Sequence, residues 1–241
     1  MFTGIGTLAN VAAILGGGII GLFFKGGLKQ QFQDSVIRTL GLSTIFIGAA
    51  GALSHMLIVE NGKLTTSGSL AMILSLVLGT LLGEILDFEG KLERLGQWLK
   101  EKASRGDDHR FVEGFVTASL VVCIGAMAIV GSLQDALLGD PSTLFTKSIL
   151  DFMSIIIFTS TYGKGAMFSA IPVAILQGSV TLFAFFLNPL FSPGVIATLS
   201  FIGSILIFCV GINLAFGSRF RVANMLPALI LGPIFASFII L

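Results

Sequence analysis

Charge is what this 241-residue chain has least of. Only 11% of its residues are charged, against a hydrophobic fraction of 54% and a mean hydropathy of +0.98. So few charges cannot cover a soluble globule, and the composition describes a protein of several membrane spans. The formal net charge is +1, and the basic residues fall in connections rather than along one face. Nucleic-acid binding therefore lacks the basic stripe it requires. Two cysteines are present, Cys123 and Cys209, each within an apolar run where it reads as a small packing residue rather than half of a disulfide. The two histidines, His55 and His109, lie at or beyond the ends of apolar runs, HExxH does not occur, and the cysteines lack a metal-ligand spacing. No nucleophile can be paired with a base, so neither an enzyme nor a cofactor is expected. A GxxxxGK[ST] phosphate loop is also missing. No basic region precedes the first apolar run, which is read as a retained span and not as a cleaved leader.

What the chain does have is 30 glycines, 22 phenylalanines and a succession of long apolar stretches. A helix needs about 20 apolar residues to cross a hydrocarbon core of about 30 Å. Eight stretches approach that length: Ile5 to Phe24, Thr39 to Val59, Ser69 to Leu86, Phe115 to Leu133, Ser148 to Gly163, Ala166 to Leu187, Ile196 to Phe216 and Val222 to Leu241. The fifth is the shortest. With eight spans and both termini outside, twelve of the 14 Lys and Arg residues fall in the cytoplasm and only Lys63 and Lys147 outside, in keeping with the positive-inside rule. A re-entrant fifth span would move Lys164, Arg219 and Arg221 outside and weaken that asymmetry. The expected fold is thus an all-α polytopic bundle forming one integral-membrane domain over residues 1–241. Within it, residues 87–113 form a cytoplasmic connection whose Phe88, Leu92, Leu95, Trp98 and Leu99 recur at helical spacing, as in an amphipathic interfacial helix.

A short phrase occurs three times, as Ile45-Phe46-Ile47-Gly48, Val122-Cys123-Ile124-Gly125 and Phe208-Cys209-Val210-Gly211. Gly17 and Gly21 of the first span also align with Gly79 and Gly83 of the third as small-xxx-small patterns. A two-helix repeat accounts for both observations, with the sixth and seventh spans as a weaker third copy running in the opposite direction. Inverted repeats of that kind accompany alternating access in transporters. The glycines, including Gly48, Gly125 and Gly211, allow helices to pack closely where lipid supplies no hydrophobic drive between them. Such faces also fit a homo-oligomer.

Polar groups within spans carry the functional signal, since each charge costs about 2.5 to 3.5 kcal/mol at a helix centre. Asp151 leads, near the outer end of the fifth span and followed by Ser154 and Thr159 to Tyr162. Two readings stay open: an acid that binds a cation or carries a proton, and an i, i+4 pair with Lys147, whose ammonium snorkels to the surface. Asn10, Gln177, Asn213 and Asn224 either bridge helices or line a polar path. Asn10 and Asn224 are candidates to share a midplane site with Asp151, and Pro227 and Pro233 are expected to kink the last span. Glu84, at the inner end of the third span, is a further binding candidate or a solvated helix end. The Ser160 to Gly165 segment is either a plain turn or a hinge that exposes backbone groups to an ion. No metal is specified.

Along nearly its whole length the chain resembles a bacterial integral-membrane DUF family of unknown function, the one that includes YdfK and YqgA. The residues that carry the resemblance are Gly6-Thr7-Leu8-Ala9-Asn10, Ser75 through Glu84, Glu113-Gly114-Phe115, Gly125 through Asp135, Lys147-Ser148 with Asp151, Ser169-Ala170, Gln177-Gly178, and Val222 through Pro227. It implies a multi-pass protein of the bacterial cytoplasmic membrane and draws Glu113, Gln134 and Asp135 into the set of polar positions of interest. The expected activity is secondary transport or conduction of a small solute or cation. The alternative is a membrane scaffold or sensor acting through residues 87–113.

Overall fold

The computed structural model describes residues 3–24, 29–60, 62–91, 94, 109–123, 126–187, 192–217 and 219–239. Its elements, in chain order, are α1 (Ile5–Phe23), α2 (Gln30–Met56), β1 (Leu57–Glu60), β2 (Lys63–Thr66), α3 (Ser69–Leu86), α4 (His109–Cys123), α5 (Ala126–Leu138), α6 (Ser142–Tyr162), a 3-10 helix (Lys164–Ser169), α7 (Ala170–Leu187), α8 (Pro193–Phe216), α9 (Val222–Met225) and α10 (Ala228–Ile239). They divide between two compact units, Met1–Thr39 with Gly90–Phe186 and Leu40–Glu89 with Leu187–Leu241.

The helices are inside out by the standard of a water-soluble protein. In α1 the buried face includes Gly6, Thr7, Asn10, Gly17 and Gly21, whereas Leu8, Ile19 and Phe23 are exposed. The same holds in α3, where Ala71, Ser75, Gly79 and Gly83 are buried while Ile73, Val77, Leu81 and Ile85 face outward. Water would penalise such a surface heavily, and hydrocarbon does not. The protein is a membrane helix bundle.

In the first unit, α1 packs along α6. A Cβ placed on Gly17 would lie 2.5 Å from the Phe152 carbonyl oxygen, and one on Gly21 would lie 2.7 Å from that of Ile156. A step of four residues on one helix matches four on the other, so the two run parallel with backbones nearly touching. Gly163, at φ 84° and ψ −164°, stops α6 in a conformation that a side chain would resist. Beyond it the 3-10 turn brings Gly165 against the Phe111 backbone. Ile14, Ala118, Val122, Ile155, Ala166, Ala170 and Val173 close the apolar core.

In the second unit, α2 and α8 cross at their glycines. Gly48 meets the Phe208 backbone, and a Cβ on Gly211 would lie 2.5 Å from the Ile45 nitrogen. Numbers rise on one helix as they fall on the other, so the pair is antiparallel, and two copies of the repeated phrase rest on each other. α3 packs on α9 and α10 in the same way, Gly79 against Ala228 and Gly83 against Asn224. Between α2 and α3 lies an antiparallel hairpin, Leu57 opposite Thr66 and Glu60 opposite Lys63, with Gly62 at φ 75° in its turn. Asn61-Gly62 is a strong two-residue hairpin signal, and the hairpin takes up Leu57 to Val59, which the hydropathy of the second span had included.

Six helices among the described residues are long and apolar enough to cross a bilayer, and a seventh span results if Gly114–Cys123 and Met127–Leu138 count as one. That pair, the expected fourth span, bends by 56°. Residues 124 and 125, and so Gly125, lie outside the described residues. The expected eighth span loosens to a turn at Leu226 and Pro227, where proline has no N–H for the regular helix ladder. Its apolar helix, Val222–Ala236, is shorter than a span. The fifth span needs the opposite correction. It runs for 21 residues from Ser142 to Tyr162, about 31 Å at 1.5 Å per residue, because Lys147 and Asp151 neutralise each other within the helix and do not end it. Most of the connection over 87–113, with Leu92, Leu95, Trp98 and Leu99, lies outside the described residues.

Candidate functional site

Because α6 begins at Ser142, Asp151 stands at its tenth residue, in the middle of the span and not near the outer end that the hydropathy placed there. Four residues earlier, Lys147 projects from the same face. Its Nζ donates to both carboxylate oxygens at 2.8 Å. The pairing is the i, i+4 one, but Lys147 does not snorkel: it is 5% exposed, as is Asp151. From α1, fully buried Asn10 donates its Nδ2 to Asp151 Oδ2 at 2.9 Å. The close α1–α6 contact makes this bond possible, since the glycines below it hold the two backbones together.

A second buried carboxylate, Asp135 of α5, accepts from the Gly6 N–H at 3.1 Å. It thereby satisfies one of the free amides at the start of α1, where the helix dipole favours negative charge. Nearby, Thr143 donates to Gln134 Oε1 at 2.6 Å, tying α6 to α5.

Two contacts tie α1 to the chain beyond α6, Gly18 with Met167 of the 3-10 helix and Gly4 with Thr181 of α7. Gln177 stands one turn before Thr181 on α7. Gln177 is fully buried, and neither Oε1 nor Nε2 has a partner among the described residues. The same is true of Asn10 Oδ1 and of the hydroxyls of Thr7, Ser132 and Thr181. Four helices of one unit thus contribute a paired Lys and Asp, a capping Asp and a set of amide and hydroxyl atoms without a partner among the described residues to its buried interior. Buried polar atoms in proteins are nearly always satisfied, by the chain or by ordered water.

The remaining candidates divide clearly. Ser154 is half-buried one turn beyond Asp151 and takes no part in its bonds. Asn224 belongs to the second unit, where its Oδ1 accepts from the Glu89 N–H at 2.8 Å and its Nδ2 has no protein partner. Glu84, exposed at the end of α3, receives Arg221 Nη1 at 2.5 Å, and Arg221 Nη2 reaches Asp87 at 2.9 Å. This bond to Asp87, together with Glu84, strengthens the hold of the Arg221 guanidinium on its proton. Asn213 closes the end of α8, donating to the Phe220 carbonyl at 2.7 Å and accepting from the Arg219 and Phe220 amides. These bonds are structural. Lys147, Ser132 and Thr181 were not among the sequence candidates for binding: a lysine reads as a snorkelling end group, and isolated hydroxyls in apolar runs carry no signal without knowledge of the face they share. The side chain of Glu113 is not among those described.

The family described as "Protein of unknown function (DUF554)" matches residues 5–237. The chain is 31% identical over 229 residues to "Uncharacterized membrane protein YdfK" of Bacillus subtilis (strain 168), covering 95% of this chain and 94% of that one. It is 30% identical over 235 residues to "Uncharacterized protein YqgA" of Escherichia coli (strain K12), with the same coverage. No solved structure matches.

Proposed function

The chain belongs to the DUF554 family of membrane proteins, and from that premise we propose that it is a secondary transporter or ion-conducting protein for a small solute or cation, with no catalytic chemistry of its own. The single observation that carries this reading is the buried Asp151–Lys147–Asn10 cluster at mid-span, in a unit that also buries polar atoms of Thr7 and Gln177 with no partner among the described residues. Intramembrane charges are costly, and an ion pair surrounded by spare hydrogen-bonding capacity gives the fold less stability than an apolar core of the same volume. Substrate binding supplies a reason to keep it.

Broken and bent helices add support, since discontinuous helices expose backbone groups near transport sites. Among the described residues one such bend stands between α4 and α5. The bacterial relatives and the Lys and Arg distribution support a cytoplasmic-membrane location with both termini outside. The repeated phrase, two of whose copies meet in the second unit, supports internal duplication.

Purified protein in liposomes, assayed for flux of cations and small metabolites with and without Asp151→Asn, tests the proposal. Flux by the wild-type protein that falls in the variant is the expected result. Unchanged flux in the variant removes Asp151 from the mechanism, and absence of flux across the panel in the wild-type protein turns the reading toward a scaffold.

A further inference from the structure

We infer that the site in the first unit takes a small zwitterion, a solute bearing one ammonium and one carboxylate, rather than a lone cation or a lone anion. The inference rests on the transport reading above and specifies its substrate class. Lys147 already occupies both oxygens of Asp151. A cation that takes Asp151 over from that ammonium leaves Lys147 buried without a counter-charge, in the middle of a span. An anion arriving at Lys147 strands Asp151 in the same way. Breaking a buried pair from one side is the most expensive change such a site can undergo. A zwitterion alone offers both replacements together: its carboxylate takes Lys147 and its ammonium takes Asp151, with the net charge of the site unchanged.

Polar atoms beside the pair and elsewhere in the same unit suit the same solute. Asn10 Oδ1 is an acceptor for ammonium protons and the Thr7 hydroxyl, one turn away on α1, a donor for a carboxylate oxygen; Gln177 on α7 offers one acceptor and one donor, and none of these atoms has a partner among the described residues. Asp135 is the other acid of this unit near the start of α1, and it is engaged by the Gly6 amide. The resting Lys147–Asp151 bond therefore stands in for the substrate when none is bound.

The full-length protein, purified in detergent, should gain thermal stability from one or more members of a panel comprising the twenty standard amino acids, β-alanine and γ-aminobutyrate. Methylammonium, acetate and acetamide at equal concentration should give none. Gln177→Met, which keeps the side-chain volume, should weaken half-saturation by the active zwitterion about 10- to 100-fold, the loss of hydrogen bonds to a charged group. The double variant Lys147→Gln with Asp151→Asn removes both charges together and should abolish binding while the protein stays folded. A response to methylammonium or acetate equal to that of any zwitterion, no response to the whole zwitterion panel, or zwitterion binding unaffected in both variants overturns the inference. Uptake into liposomes separates the two claims. Methylammonium uptake without zwitterion binding sinks the substrate class and leaves transport standing, whereas zwitterion binding without uptake upholds the site and sinks transport.

Discussion

Gln177 offers the sharpest separation of stability from function. Its side chain is fully buried on α7, and both amide atoms lack a partner among the described residues. An unsatisfied buried polar group costs about 1 to 3 kcal/mol. Gln177→Met keeps the length and flexibility of the side chain, and helix propensity hardly differs between the two residues. The substitution should therefore stabilise the substrate-free protein by about 1 to 3 kcal/mol, a gain readable by equilibrium unfolding in mixed micelles. The same variant should lose solute flux in liposomes. This joint outcome is the signature of a residue retained for binding at the expense of stability. A variant destabilised by about 1 kcal/mol or more with flux intact would refute the reasoning, because it would show that the amide serves the fold.

The ion pair should behave non-additively. Lys147→Met alone leaves a buried carboxylate and should cost about 3 to 5 kcal/mol, whereas Lys147→Met with Asp151→Leu should recover most of that loss, as a double-mutant cycle in the same unfolding assay would measure. Gly17→Ala pushes a methyl group onto the Phe152 carbonyl and should cost about 1 to 3 kcal/mol. Gly178→Ala meets nothing within 4 Å and should be neutral or stabilising by about 0.5 to 1 kcal/mol. Arg221→Ala removes the exposed ion pairs to Glu84 and Asp87 and should leave unfolding almost unchanged, as expected for solvated pairs. For orientation, Lys63→Cys in the exposed hairpin of a Cys123→Ala, Cys209→Ala background should react with an impermeant maleimide added to intact cells, and Arg94→Cys should react only after permeabilisation.

How much of this was readable beforehand depends on the range over which each signal acts. Membrane residence, helical class and most helix positions follow from composition and apolar run length, because a bilayer imposes the same constraint on every spanning segment. The small-xxx-small glycines announced close packing, and Gly17, Gly21, Gly79 and Gly83 all make it. Hydropathy misjudged the ends of the fifth span because it scores Lys147 and Asp151 as two separate charges, when one bonded pair is far easier to bury. It also ran the second span into a hairpin that Asn61-Gly62 marks by turn chemistry.

The sequence by itself determined that the chain is a membrane helix bundle with an acid, Asp151, out of place in it. Only the tertiary structure decided what that acid meets: Lys147 is buried with it, Asn10 joins it from α1, Asn224 bonds Glu89 within the other unit, and Gln177 is buried with no partner among the described residues. The physical reason is that the cost of burying a polar group depends on its partners. Those partners lie up to 141 residues away along the chain, a separation that no local pattern encodes.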